Sequence, residues 1–192
     1  DKANALMKDL ERCGPGDEQA ALGPLAALGE VGLRALEESF PGLPWFNRHM
    51  PHQRPPTGRD ASPLCRLLID LGEPAIASIE RLLRDANVER RYYAVLVAAE
   101  TGHATLVGAL GDNALSEDAG LRDAALYALT QVTDPAARQV LSRKLRARIV
   151  DSRLDYERVI APVRAADSKV TEIAASLNEN TYETVAMEQM IQ

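Results

Sequence analysis

Aromatic side chains are scarce in this chain: Phe, Trp and Tyr make up 4% of its 192 residues, too few for the usual core of a β-sandwich or barrel. Cysteine is scarcer still. Cys13 and Cys65 cannot form a disulfide framework, and neither lies in a CxxC pair, so a reducing, cytoplasmic setting is expected. No stretch approaches the ~20 apolar residues of a membrane span, and the N-terminus lacks the basic and apolar regions of a signal peptide; membrane insertion is not expected. The chain opens on Asp1 rather than Met and reads as one domain of a larger chain. Lysine is confined to Lys2, Lys8, Lys144 and Lys169 among 22 basic residues. A net charge of −6 repels phosphate backbones, so nucleic-acid binding would require a local basic face. There is no GxSxG, no Walker-type glycine loop, no HExxH and no GxGxxG after a strand. No catalytic residue, metal or cofactor is therefore assigned.

What the chain does hold is helical periodicity. Hydrophobic residues reach 46% and charged residues 26%, a balance that folds. Val88, Tyr92, Val95, Leu96 and Ala99 recur at i, i+4, i+7, i+8 and i+11, and Leu121, Ala125, Ala128, Leu129 and Val132 repeat the spacing; each set predicts one buried stripe. Helix-stopping glycine and helix-starting proline fall between such runs, at Gly14-Pro15-Gly16, Gly72-Glu73-Pro74, Gly102, Gly111-Asp112 and Asp134-Pro135. Acids outnumber bases over 1–40 and again over 165–192.

The segments also repeat. Leu28-Gly29-Glu30 returns as Leu71-Gly72-Glu73, 43 residues later. The run Arg91-Tyr92-Tyr93-Ala94-Val95-Leu96 returns 31 residues later as Arg122-Asp123-Ala124-Ala125-Leu126-Tyr127, each copy preceded by a polar turn, Asp85-Ala86-Asn87 and Ser116-Glu117-Asp118. On these residues the chain resembles HEAT-like (armadillo-type) helical repeats. The resemblance is clear over about a third of the length, and both displacements fit helical-repeat periods of ~30–47 residues.

It implies an all-α, right-handed α-α superhelix of about five to six helical hairpins with one long Pro-rich loop. The expected layout is an N-terminal cap over 1–39, the loop over 40–63, the clearest repeats over 64–150 and a C-terminal cap over 151–192. A closed helical bundle is the alternative. Arg91, Arg122 and Asp123, at repeat-opening positions, are expected to bond across neighbouring repeats. The implied function is a non-catalytic protein–protein interaction scaffold. The same fold family includes DNA glycosylases acting on alkylated bases and bilin-lyase-like proteins, which stand as the enzymatic alternative.

One segment breaks the rhythm. Residues 40–63 carry six of the eleven prolines, the single Trp and both Phe residues, and a connection of this length is usually functional or mobile. Within it Phe40, Trp45, Phe46, Arg48, His49, His52, Arg54 and Arg59 are candidate partner-binding residues, because aromatics and Arg dominate interface energetics. The competing expectation is that Phe40, Trp45 and Phe46 clamp the loop onto the first helices. His49, His52 and Cys65 make only an incomplete zinc set, since structural zinc takes four ligands. Arg143 and Arg146, in the cationic run Arg138–Arg148, are further candidates for docking an acidic protein partner; the same run also reads as a solvated helix with favourable C-terminal charge.

Overall fold

The computed structural model describes residues 2–11, 13–50, 52, 54–140 and 142–143. Two compact units divide the chain at Ala137, and every element named below belongs to the first. Among the described residues there is no strand. The elements are α1 (Lys2–Leu10), α2 (Gln19–Ala27), α3 (Gly29–Ser39), α4 (Pro63–Leu71), α5 (Ile76–Leu83), α6 (Val88–Thr101), α7 (Val107–Asn113) and α8 (Ala119–Gln131), with 3-10 turns at Glu73–Ala75 and Ala104–Leu106.

Local chemistry sets these boundaries. Ser62 caps α4, its Oγ accepting from the Cys65 N–H, and Pro63 takes the first helical position, where a missing N–H costs nothing. Asn87 and Asp118 cap α6 and α8 in the same way, through the Glu89 and Leu121 N–H groups. Gly72 (φ 63) and Gly102 (φ 59) follow α4 and α6 in left-handed conformations, the geometry that frees glycine to end a helix.

The helices form two rows. In one, α1 touches α3, α3 touches α5 and α5 touches α7; in the other, α2 touches α4, α4 touches α6 and α6 touches α8. Cross-contacts α1 to α2, α5 to α6 and α7 to α8 join the rows as hairpins. Translation by 31 residues carries the 3-10 turn at Glu73 onto that at Ala104, Ile76 onto Val107, and Val88 onto Ala119. The spacing seen between Arg91 and Arg122 is thus the spacing of whole structural units. The 43-residue spacing also marks matching junctions, since Gly29 opens α3 and Gly72 follows α4, both with positive φ. It is longer because residues 40–62 stand between α3 and α4, where only four residues link α5 to α6.

Two expectations are revised. The stripe on α6 fails at its ends, where Val88 and Ala99 are only half-buried, and is too narrow in its middle: every residue from Tyr92 to Ala98 is buried, because α4, α5, α8 and the 40–62 loop surround it. On α8 the stripe holds as read, with Leu121, Ala125, Ala128, Leu129 and Val132 all buried. Arg91 and Arg122 bond within their own repeats rather than across them, Nη1 of each donating to the carbonyl six residues earlier, Asp85 and Ser116; the preceding turn curls back over the first helical turn and presents that oxygen. The described residues hold eight α-helices, and the C-terminal cap expected at 151–192 lies outside them.

The rows are pinned at few points. Gly32 of α3 lies so close to α2 that a Cβ there would stand 2.7 Å from the Leu25 carbonyl oxygen. The Arg90 guanidinium collects the carbonyls of Glu37, Glu38 and Phe40 at the end of α3, where helix geometry leaves oxygens short of donors. Buried Asn113 does the same for α5, its Nδ2 donating to Leu83 O at 2.8 Å.

Candidate functional site

The 40–62 segment is folded onto the row of second helices. Phe40 is buried in the core, and the Trp45 N–H donates to Ala61 O at 2.8 Å, closing the segment on itself. A tight turn follows, with Asn47 Oδ1 accepting from the His49 N–H and Asn47 O from the Met50 N–H. Residues on either side of this turn touch α6. Phe46 lies 5.8 Å from the Tyr93 ring, Gly58 packs where a Cβ would stand 3.0 Å from Leu96 O, and Arg59 meets Glu100.

Arg48 forms the first clasp. Its Nη1 and Nη2 donate to Oδ1 and Oδ2 of Asp118, both at 2.9 Å, and its Nε donates to Glu89 Oε1 at 2.6 Å. The guanidinium also stacks 5.0 Å above the Tyr92 ring, with its side chain only 6% exposed. Burial alone would lower its pKa; hydrogen bonds to Asp118 and Glu89 outweigh that and raise it. Asp118 is driven down to about 2, first by Arg48, against the opposing effect of burial and with help from the Leu121 N–H. Burial pushes the Tyr93 hydroxyl up to about 12.

Arg59 and Arg66 form the second. Arg59 reaches Asp70 Oδ1 at 2.7 Å and Glu100 Oε2 at 3.2 Å, and its own N–H donates to Glu100 Oε1. Arg66 donates to the Arg59 carbonyl and to Glu18 Oε1, and stacks 5.1 Å over the Trp45 ring. Glu18 is almost wholly buried. Burial raises its pKa, but backbone N–H groups and Arg66 more than offset this and hold it below the ordinary carboxylate value.

The loop candidates therefore separate. Phe40 and Arg48 face inward, Trp45 and Phe46 are half-buried, and Arg59 is exposed but tied to two acids. His49 is exposed, 3.3 Å from Glu89, and His52 packs edge-on against Phe46 at 5.0 Å. Arg54 is the most open, 77% exposed and paired only with Asp60. Arg143 is exposed, and Arg146 lies outside the described residues. Cys65 is fully buried, its thiol pushed up to about 12 by burial. Among the described residues no three His, Cys, Asp or Glu side chains gather as a metal site would require.

Glu89, Tyr92, Tyr93 and Asp118 are the site residues that sequence reasoning passes over. The adjacent tyrosines in an aromatic-poor chain were the available signal; Asp118 reads simply as a helix cap. One repeat onward, α8 presents Gly120, Asp123, Ala124 and Tyr127 where α6 has Glu89, Tyr92, Tyr93 and Leu96, and Tyr127 is 39% exposed. The loop covers this face on α6 and borders it on α8, with Arg48 Nη1 3.5 Å from where a Gly120 Cβ would stand. Two helix starts on this face thus carry carboxylates, Glu89 on α6 and Asp118 before α8, and Arg48 bonds both. Comparison with family models, curated proteins and solved structures returns no match.

Proposed function

We propose that this chain is a non-catalytic protein-interaction scaffold, a HEAT-like right-handed superhelix whose second helices α4, α6 and α8 form the recognition row. The observation that carries the reading is a loop segment seated against α6, held by aromatic and guanidinium contacts, beside the helix that stands 31 residues later, α8, where Tyr127 is exposed. A face that already accommodates one polypeptide is suited to accommodating another. The partner is a protein. Glu89, Asp118 and Tyr92, which an enzymatic reading would recruit, are engaged by Arg48 of the loop. A cytoplasmic setting belongs to the same proposal, in keeping with two unpaired thiols; no helix among the described residues is long and apolar enough to cross a membrane.

The test is affinity capture with three chains: native, Tyr127→Glu on the recognition row, and Val31→Glu on α3, where Val31 is 57% exposed. A protein captured by the native and Val31→Glu chains but released by Tyr127→Glu supports the assignment. Capture unaffected by Tyr127→Glu would remove it.

A further inference from the structure

The two feet of the 40–62 loop and its middle are attached differently. One foot is held at the end of α3, where Arg90 grips the Phe40 carbonyl. The other is held by Gly58 under Leu96 and by Arg59 on Asp70 and Glu100. Between them, the bonds that join residues 46–50 to α6 and α8 run through side chains, those of Arg48 and His49. The backbone bonds in that stretch stay within the loop. Leu43 and Met50 flank it, 67% and 60% exposed. The middle is thus seated as a bound peptide is seated, by an aromatic ring and a guanidinium entering a prepared surface, while the feet are built into the fold.

We infer that Glu89, Tyr92 and Tyr93 of α6 with Asp118 of α8 form the recognition site of the scaffold, that it takes a partner segment carrying an aromatic residue two positions before an arginine, and that the loop occupies this site as a built-in competitor. The inference rests on the scaffold reading above and adds the site and the chemistry of its ligand. Asp118 and Glu89 select arginine over lysine, because they use the two parallel donors and the Nε of one planar fork. Tyr93 takes the aromatic, and Tyr92 the face of the guanidinium. Being tethered, the loop competes at an effective concentration on the order of millimolar, so the closed chain resists ligands of ordinary affinity.

The test uses a fluorescein-labelled peptide with the sequence of residues 44–50, followed by fluorescence polarisation. Against Arg48→Ala it should bind at least about tenfold more tightly than against the native chain, since the competitor has lost its anchor. Adding Glu89→Gln and Asp118→Asn to that variant should abolish the gain, as should glutamate in place of the peptide's arginine. Equal binding to native and Arg48→Ala chains, or a gain that survives loss of both carboxylates, overturns the assignment. If circular dichroism shows Arg48→Ala to be unfolded, amide exchange on the native chain decides: millimolar peptide should accelerate exchange at residues 46–50, and unchanged exchange overturns it. Failure here with a partner still released by Tyr127→Glu would discard the tethered competitor and keep the scaffold; loss of both results would discard the scaffold itself.

Discussion

Arg48 and Asp118 stand 70 residues apart in the chain and meet through two parallel hydrogen bonds of 2.9 Å. One is in the 40–62 loop and the other caps α8, so the pair ties the irregular part of the molecule to the regular part, alongside Arg59 on Asp70 and Glu100. Replacing Arg48 by Ala removes three charge-assisted hydrogen bonds and a cation–π contact. Asp118 and Glu89 are partly exposed and regain some hydration, so the expected loss is about 1–3 kcal/mol. Arg48→Lys keeps the charge without the fork and should fall between the two. Urea unfolding monitored by circular dichroism measures all three, and a lysine variant as stable as the native chain would show that charge alone suffices.

The same pair sets a pH dependence. Asp118 has a folded pKa of about 2 against an ordinary 3.8. A carboxylate depressed on folding stabilises fully above its unfolded value and loses that contribution as pH falls through the folded one. Thermal midpoints should therefore decline as pH drops from about 4 to about 2, and Glu18 and Glu37, also lowered, add to the decline. In Arg48→Ala the Asp118 share is missing, so its profile should be flatter over that window. An identical slope in both proteins would mean that Asp118 is held down by something other than Arg48.

Helix positions are legible in the sequence because their causes are local: Asn87 and Asp118 cap through N–H groups two and three residues away, and Gly72 and Gly102 end helices by their own conformational freedom. The 31-residue repeat is legible for the same reason, since matching turns need matching residues. The seating of the loop is not. Arg48 finds its partners 41 and 70 positions downstream, and nothing beside it marks them. Nor does hydrophobic spacing reveal that α6 is enclosed on all sides, because a stripe reports one neighbour and α6 has several.

Two glycines within helices should respond oppositely to alanine. Substitution in a helix interior gains about 0.5–1 kcal/mol where space allows. At Gly108 of α7 an added Cβ meets nothing within 4 Å, so Gly108→Ala should stabilise by roughly that amount. At Gly32 the Cβ would stand 2.7 Å from Leu25 O and 3.0 Å from the Leu28 Cβ. A backbone oxygen cannot swing aside as a side chain can, so α2 and α3 must separate, and overpacking of this kind costs about 1–3 kcal/mol. Gly32→Ala should therefore be net destabilising despite better helix propensity. Thermal unfolding of the two variants gives the signs directly, and stabilisation by both would mean that α2 and α3 are not held at this distance.

Asn113 ends α7, 5% exposed, with Nδ2 donating to Leu83 O at 2.8 Å and Ala109 O at 2.9 Å. The Leu83 oxygen belongs to the last turn of α5, where helix geometry leaves carbonyls without partners. Asn113→Ala should cost about 1–3 kcal/mol by leaving that oxygen buried and unbonded. Asn113→Asp should cost more at neutral pH, because it sets a carboxylate against two carbonyl oxygens in place of a donor. Such a carboxyl has a raised folded pKa, so its protonated form is favoured on folding and returns a hydrogen-bond donor. The folded state then binds more protons than the unfolded, and stability rises as pH falls, opposite to the Asp118 effect. Denaturant unfolding at pH 7 and pH 5 should rank native above Ala above Asp at the higher pH and narrow the Asp deficit at the lower. An Asp variant matching the native chain at pH 7 would show that the amide does not carry the contact between α5 and α7.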